Sequence, residues 1–149
     1  MAFELWTDGS FDGKNGGYAV LVKVKRRGRG VICENGVKYK IVAMGRESGV
    51  SIIRMEGEAI LAAINYCGTK GGVIYTDSEY WVKVINDWGL TWKIHDFKRA
   101  GGPLKNVDLV RKVFLAYRKV PVRVVWVKGH SGEAMNELAD KWARVAREE

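Results

Sequence analysis

Four acidic side chains, Asp8, Glu56, Asp77 and Asp140, stand out in this 149-residue chain because the pattern around each puts it where chemistry is done. Asp8 closes the alternating segment Phe3 to Asp8, and Asp77 follows the apolar run Gly72-Val-Ile-Tyr-Thr76, so both are expected at strand ends. Glu56 is expected in the first turn of a helix, and Asp140 in the last helix. Each has an ordinary reading alone: a turn at Asp8, a Thr76-to-Glu79 capping box around Asp77, a helix-dipole partner in Glu56, a solvated helix residue in Asp140. Together they say more. In α/β sheets ligand sites form at strand ends near a switch in strand order, and carboxylates crowded there repel unless cations neutralise them. Hard divalent ions suit such oxygen ligands, and Mg²⁺ takes a few carboxylates together with water and phosphate. Two ions about 3.5–4 Å apart can orient and deprotonate a water and stabilise a leaving oxygen in phosphoryl transfer. Four carboxylates offset two such charges, an arithmetic that suits a nuclease.

The elements that must position these groups are legible as changes of period. Phe3 to Asp8 and Tyr18 to Lys25 read as strands joined by the Gly-rich loop 9–17, and a third extended segment covers about Val31 to Ala43. Asn35-Gly36 interrupts it, as a hairpin turn or as a bulge in one long strand. From Arg54 the period becomes helical: Met55, Ala59, Ala62 and Tyr66 form a stripe that Ile60, Ala63, Ile64 and Cys67 widen. Gly68, Gly71 and Gly72 stop that helix, and the run to Thr76 is a buried strand. Ser78 to Asp87 reads as helical, and residues 88–105 break periodicity and are expected to protrude. A helix resumes near Asn106, Val122 to Val127 is the fifth strand, and the last helix, about Glu133 to Arg147, points Met135, Leu138, Ala139, Trp142 and Ala146 inward. The order predicts an α/β fold with a five-stranded mixed sheet, three antiparallel strands followed by parallel ones, flanked by helices.

Composition narrows the partner. Lys and Arg total 25 against 17 Asp and Glu, a net charge of +8 that favours a polyanion through counterion release. The length predicts a single domain. No stretch approaches the roughly 20 apolar residues of a membrane span, and Met1 to Leu5 lacks the features of a signal peptide, so a cytoplasmic protein is expected. Cys33 and Cys67 have no CxxC spacing and no nearby histidine, which favours reduced core thiols, with a disulfide as the lesser alternative.

The chain resembles type 1 ribonuclease H over nearly its whole length. The resemblance rests on Thr7-Asp8-Gly9-Ser10, Gly16-Gly17-Tyr18, Arg54-Met55-Glu56, Thr76-Asp77-Ser78, Lys105-Asn106-Val107-Asp108-Leu109, Trp126 to Gly132, and Asn136 to Asp140, in that order. It implies an endonuclease that hydrolyses the RNA strand of RNA/DNA hybrids with two Mg²⁺ ions, Mn²⁺ being a substitute, and leaves 5′-phosphate and 3′-hydroxyl ends. Carried over position by position, it makes Asp8, Glu56, Asp77 and Asp140 the metal ligands, with Glu58 as the rival of Glu56. It makes His130, in Lys128-Gly-His-Ser-Gly132, a mobile-loop residue that assists proton transfer or product release. It likens 88–105 to a basic handle in which Trp88, Trp92, Lys93, Lys98 and Arg99 grip the hybrid, and it adds Ser51, Arg54 and Asn106 to the substrate-binding residues. Trp88 and Trp92, four apart, fit a core helix face equally well, and Asn106 fits a helix N-cap. Ile52-Ile53 and Glu79 stand where the family often has amides that read the minor groove, a departure that bears on selectivity for hybrid over duplex RNA. A hybrid-binding module that does not cut, or another nuclease or strand-transfer enzyme of the same superfamily, are the alternatives. The chain is expected to act as a monomer.

Overall fold

The computed structural model describes residues 2–99, 102–103, 106–129 and 132–149. Strands β1 (Phe3–Phe11) and β2 (Asn15–Lys23) form an antiparallel hairpin, followed by β3 (Ile32–Glu34) and β4 (Val37–Ser48). Helix α1 (Ile52–Cys67) leads to β5 (Gly72–Thr76), then α2 (Glu79–Lys83), a π-helical turn over Val84–Trp88, and α3 (Gly89–Ile94). A short ribbon, β6 (Lys98–Arg99) and β7 (Gly102–Pro103), precedes α4 (Val107–Lys119), β8 (Val122–Trp126) and α5 (Ala134–Glu148). The main sheet runs β3-β4-β2-β1-β5-β8, antiparallel as far as β1 and parallel across β1-β5-β8.

The mixed sheet matches the expectation with one strand more. Asn35 and Gly36 both have positive φ, 52° and 78°, the conformation of a two-residue type I′ hairpin turn, so the third extended segment is two strands rather than one. It also runs on to Ser48, past Ala43. Periodicity could not show this, because both limbs of a hairpin alternate in the same way.

Side chains alternate across the sheet, and each face has its own helical cover. Leu5, Val20 and Ile74 face α1 and α4 in a core that also holds Ile60, Ile64, Leu109 and Val113. Trp6, Leu21 and Tyr39 face α5, meeting Met135, Leu138 and Ala139. Trp142 packs at the edge of that second core, and its indole N–H donates to Tyr39 Oη at 2.8 Å. Tyr66, expected in the buried stripe of α1, is 41% exposed and lies with its ring 5.0 Å from that of Phe3. The stripe rotates past it because the buried residues are those nearest the sheet, Ala63, Ile64 and Cys67.

Ser51 caps α1 by accepting from the Arg54 amide at 3.2 Å, so the helix starts before Arg54 and Glu56 falls in its second turn rather than its first. The next cap is also displaced. Ser78, not Thr76, accepts from the Trp81 amide, while Thr76 Oγ1 accepts from the Ser78 amide. The break after Asp87 has a local cause: the wider π turn adds residues to one helical turn and rotates the apolar face, after which helix continues to Ile94. The start of 88–105 is thus packed rather than protruding; a Cβ at Gly89 would overlap the Phe114 ring. Cys33 and Cys67 are free thiols, Cys67 buried as expected, Cys33 exposed on β3 and outside any core.

Close approach of α5 to β2 depends on Gly17, where an added Cβ would lie 2.5 Å from the Ala143 carbonyl oxygen and collide with the Arg147 amide. Those atoms are helix backbone and have little room to move. Gly17→Ala is expected to destabilise the protein by about 1–3 kcal/mol, as overpacking of a core does. Urea denaturation checks this, the expected change being a lower midpoint at an unchanged m-value.

Candidate active site

β1 continues to Phe11, whereas its parallel neighbour β5 stops at Thr76; Trp6 pairs with Tyr75, and the ladder ends there. Beyond that point β1 has a partner only on the β2 side, and the sheet is notched. Asp8 sits in the notch, 4% exposed, with Oδ1 accepting from the Gly9 amide at 2.9 Å. Asp77 is the first residue past the end of β5. Glu56 arrives from α1, brought close by Gly9: a Cβ there would lie 2.7 Å from the Glu56 amide nitrogen. Carboxylate oxygens of Asp8, Glu56 and Asp77 lie within 4.8 Å of one another, so the three expected to converge do so, although Asp8 lies inside β1 rather than at its end.

Their electrostatics follow from that geometry. Burial pushes the Asp8 carboxyl up to about 9, helped by the charges of Asp77, Asp140 and Glu56 and opposed by the Gly9 N–H. Burial likewise raises Glu56 to about 8, with further contributions from the charge of Asp77 and a hydrogen bond to it, against a lowering contact with Ser78. Among the described residues no basic side chain contributes to either shift. A buried, all-oxygen group of acids is the donor set that a hard divalent ion fits.

Asp140 stands outside the group of three. It is 28% exposed on α5 and paired with Arg144 at 3.1 Å, although its charge still reaches Asp8. Glu58, the rival of Glu56, has other neighbours, its carboxyl raised by burial and by Glu47 and lowered by Arg54 and Lys112. His130 lies outside the described residues, but Gly129 beside it passes against Asp77, whose Oδ2 would be 3.1 Å from a Cβ at that glycine. Trp126 anchors the same corner, its indole N–H donating to the Asp77 carbonyl oxygen at 3.3 Å.

The expected substrate-binding residues divide. Ser51 is committed to capping α1, and Arg54 makes a two-pronged pair with Asp108 on α4, at 3.2 and 2.8 Å. Asn106 is not a side-chain N-cap; it has φ 54° and offers α4 only its carbonyl oxygen, to the Val110 amide. Trp88 and Trp92 split the core and surface readings between them. Trp92 packs on the core, while Trp88 is 38% exposed, its ring 5.5 Å from that of Trp92, with the Lys83 ammonium 5.9 Å from its centroid. Lys93 is exposed; the side chains of Lys98 and Arg99 lie outside the described residues. Arg144 escaped the sequence reading, although its position four residues after Asp140 on a predicted helix is the signal that would have found it.

A family model described as RNase H matches residues 1–148. The chain belongs to the ribonuclease H family. A ribonuclease H of Paramagnetospirillum magneticum (strain ATCC 700264 / AMB-1) is 35% identical over 145 residues, covering 95% of this chain and 86% of that protein. The crystal structure of LC9-RNase H1, described as a type 1 RNase H with the type 2 active-site motif, superposes with a TM-score of 0.81 at 28% identity, covering 99% of this chain and 72% of that one. A foamy viral protease-reverse transcriptase, solved in complex with RNA/DNA hybrid, shares the fold at TM-score 0.76 and 18% identity over 98% of this chain and 20% of its own. The ribonuclease H chain is a hydrolase whose acidic notch lies where the fold switches strand direction, and among the described residues no helix is long and apolar enough to cross a membrane.

The raised acids make stability depend on pH. Asp8 ionises near 3.8 when unfolded and about 9 when folded, and Glu56 near 4.5 and about 8, so between those limits the native state holds more protons. Stability contributed by these groups is complete below pH 4 and is lost as pH rises toward 9. The metal-free protein is expected to show a falling Tm across that window by calorimetry. Asp8→Asn, which cannot ionise, should flatten the fall.

Proposed function

We propose that this ribonuclease H hydrolyses the RNA strand of RNA/DNA hybrids with divalent cations, Mg²⁺ by preference and two per site, leaving 5′-phosphate and 3′-hydroxyl ends. The observation that carries the reading is the meeting of Asp8, Glu56 and Asp77 within 4.8 Å, with no basic group among the described residues contributing to the shifts of Asp8 and Glu56. Asp8, Glu56, Asp77 and Asp140 are the proposed ligands. Bound there, divalent ions would supply an activated water and charge stabilisation for an in-line displacement at phosphorus.

The chain's own residues do the holding. Asp8 is pinned by the Gly9 N–H, Glu56 by the α1 backbone against β1, and Asp77 by the Trp126 contact to its carbonyl. His130 is proposed to move a proton or assist product release from the glycine-flanked loop that begins against Asp77. The substrate is proposed to lie across the notch toward Trp88 and Lys93, with Lys98 and Arg99 extending a basic surface, and Ser51, Arg54, Trp92 and Asn106 bordering its path. Net charge +8 and the hybrid seen with the viral fold relative support a hybrid substrate. A monomeric, cytoplasmic protein is the simplest setting for this activity.

Labelled RNA/DNA hybrid, duplex RNA, duplex DNA and a four-way junction, each incubated with Mg²⁺ and protein, test the reading. The wild type is expected to cut the hybrid's RNA strand, and Asp77→Asn to lose at least about 10³-fold in rate while still binding hybrid, as removal of a metal-organising group does. A hybrid bound but left intact by the wild type would instead indicate a binding module. Neutralising Lys93, Lys98 and Arg99 together is expected to raise KM and flatten its salt dependence with kcat nearly unchanged. An unaltered salt slope would place the binding surface elsewhere.

A further inference from the structure

Arg144 occupies a position that hydrolysis as described does not use. Its Nη2 lies 3.1 Å from Asp140 Oδ2, one helical turn back on α5. Asp140 is close enough to raise Asp8 yet is not in the group whose oxygens meet within 4.8 Å. The fourth carboxylate therefore stands at the rim of the acidic notch with a cation on its other side.

The helix itself has little freedom to carry Asp140 inward. Lys141, the next residue, pairs with Glu34 at 2.7 Å, Tyr39 donates to Glu34 at 2.9 Å, and the Trp142 indole donates to Tyr39 at 2.8 Å. Met135, Leu138 and Ala139 are buried against the sheet. Entry of Asp140 into the cluster is thus a side-chain event, decided by which cation holds its oxygens. A guanidinium cannot lose its proton to withdraw from that contest.

We propose that Arg144 is a positioning residue that competes with the divalent ion for Asp140, keeping this carboxylate out of the cluster in the metal-free protein and lowering metal affinity. The inference rests on the metal-binding reading of Asp8, Glu56 and Asp77. Arg144 is 56% exposed, so the competition is solvent-screened and its effect modest.

Mn²⁺ titrated calorimetrically into metal-free wild type, Arg144→Gln, Arg144→Lys, Asp140→Asn, Asp8→Asn and the Arg144→Gln/Asp140→Asn double variant provides the test, with no turnover needed. Arg144→Gln is expected to bind Mn²⁺ about two- to fivefold more tightly, the scale of one exposed charge pair. Arg144→Lys, which keeps the charge, should stay near wild type. In the Asp140→Asn background the gain should vanish, because the coupling is between these two side chains. An Arg144→Gln affinity equal to or weaker than wild type overturns the proposal, as does a gain that survives Asp140→Asn, which would make Arg144 a general repulsive charge. If wild type binds Mn²⁺, Asp8→Asn does not, and Arg144→Gln matches wild type, only this inference fails. If the wild type takes up no Mn²⁺ at all, the metal-binding reading fails and takes the inference with it.

Discussion

Three carboxylates drawn from two faces of one sheet meet where, among the described residues, no basic side chain contributes to the shifts of Asp8 and Glu56. This repulsion is the constraint around which the molecule is arranged. It costs the metal-free protein stability at neutral pH, since burial and mutual charge hold Asp8 and Glu56 far above the usual carboxylate range. A fold chosen for stability alone would separate such groups or pair them with lysines. A site that must take up divalent ions and a phosphodiester gains from the same arrangement, because the cations replace the missing counter-charge.

The packing around the notch makes the convergence rigid. Gly9 lets α1 approach β1 until Glu56 reaches the strand end, and Gly17 lets α5 settle onto β2 from the opposite side. Gly57 does the same for Trp81: a Cβ there would overlap the Trp81 ring, whose indole N–H donates to the Ile53 carbonyl at 2.7 Å. Each contact trades a side chain for nearness of backbone. On the far face, Arg147 donates to Ser10 Oγ at 2.9 Å and Arg46 donates to the Arg147 carbonyl, tying the end of α5 to β1 and β4. The acidic groups are held by elements that cannot drift apart to relieve their repulsion.

The proposed recognition surface uses a different physical style. Of the residues proposed to meet the substrate, Trp88 lies half outside the core and Lys93 is in solvent. Long cationic side chains suit a partner read by phosphate spacing and groove shape, since such contacts tolerate any base sequence. Arg54 shows how a residue with the right chemistry can be spent elsewhere. Its fork lies on Asp108 and joins α1 to α4 beside the site, which is a structural use of the same planar guanidinium.

By itself the sequence determined most of the elements and singled out the acidic residues, three of which converge. Period 2 and period 3.6 are local properties, so the strand before Asp77, the amphipathic helices and the mixed sheet could be read directly, and the spacing of motifs led to the right family, whereas β1 runs on past Asp8 to Phe11. Glu56 and Glu58, two residues apart on one helix, could be told apart only by resemblance, because their roles depend on which neighbour each faces. What tertiary structure decided was everything set by contact between distant segments. The early end of β5 beside a longer β1 opens the notch, and Asp108 takes up Arg54. The hairpin at Asn35-Gly36 and the π turn after Lys83 were settled by backbone geometry that alternation and periodicity do not encode. Convergence of charge is a property of three-dimensional distance, which chain order constrains without specifying.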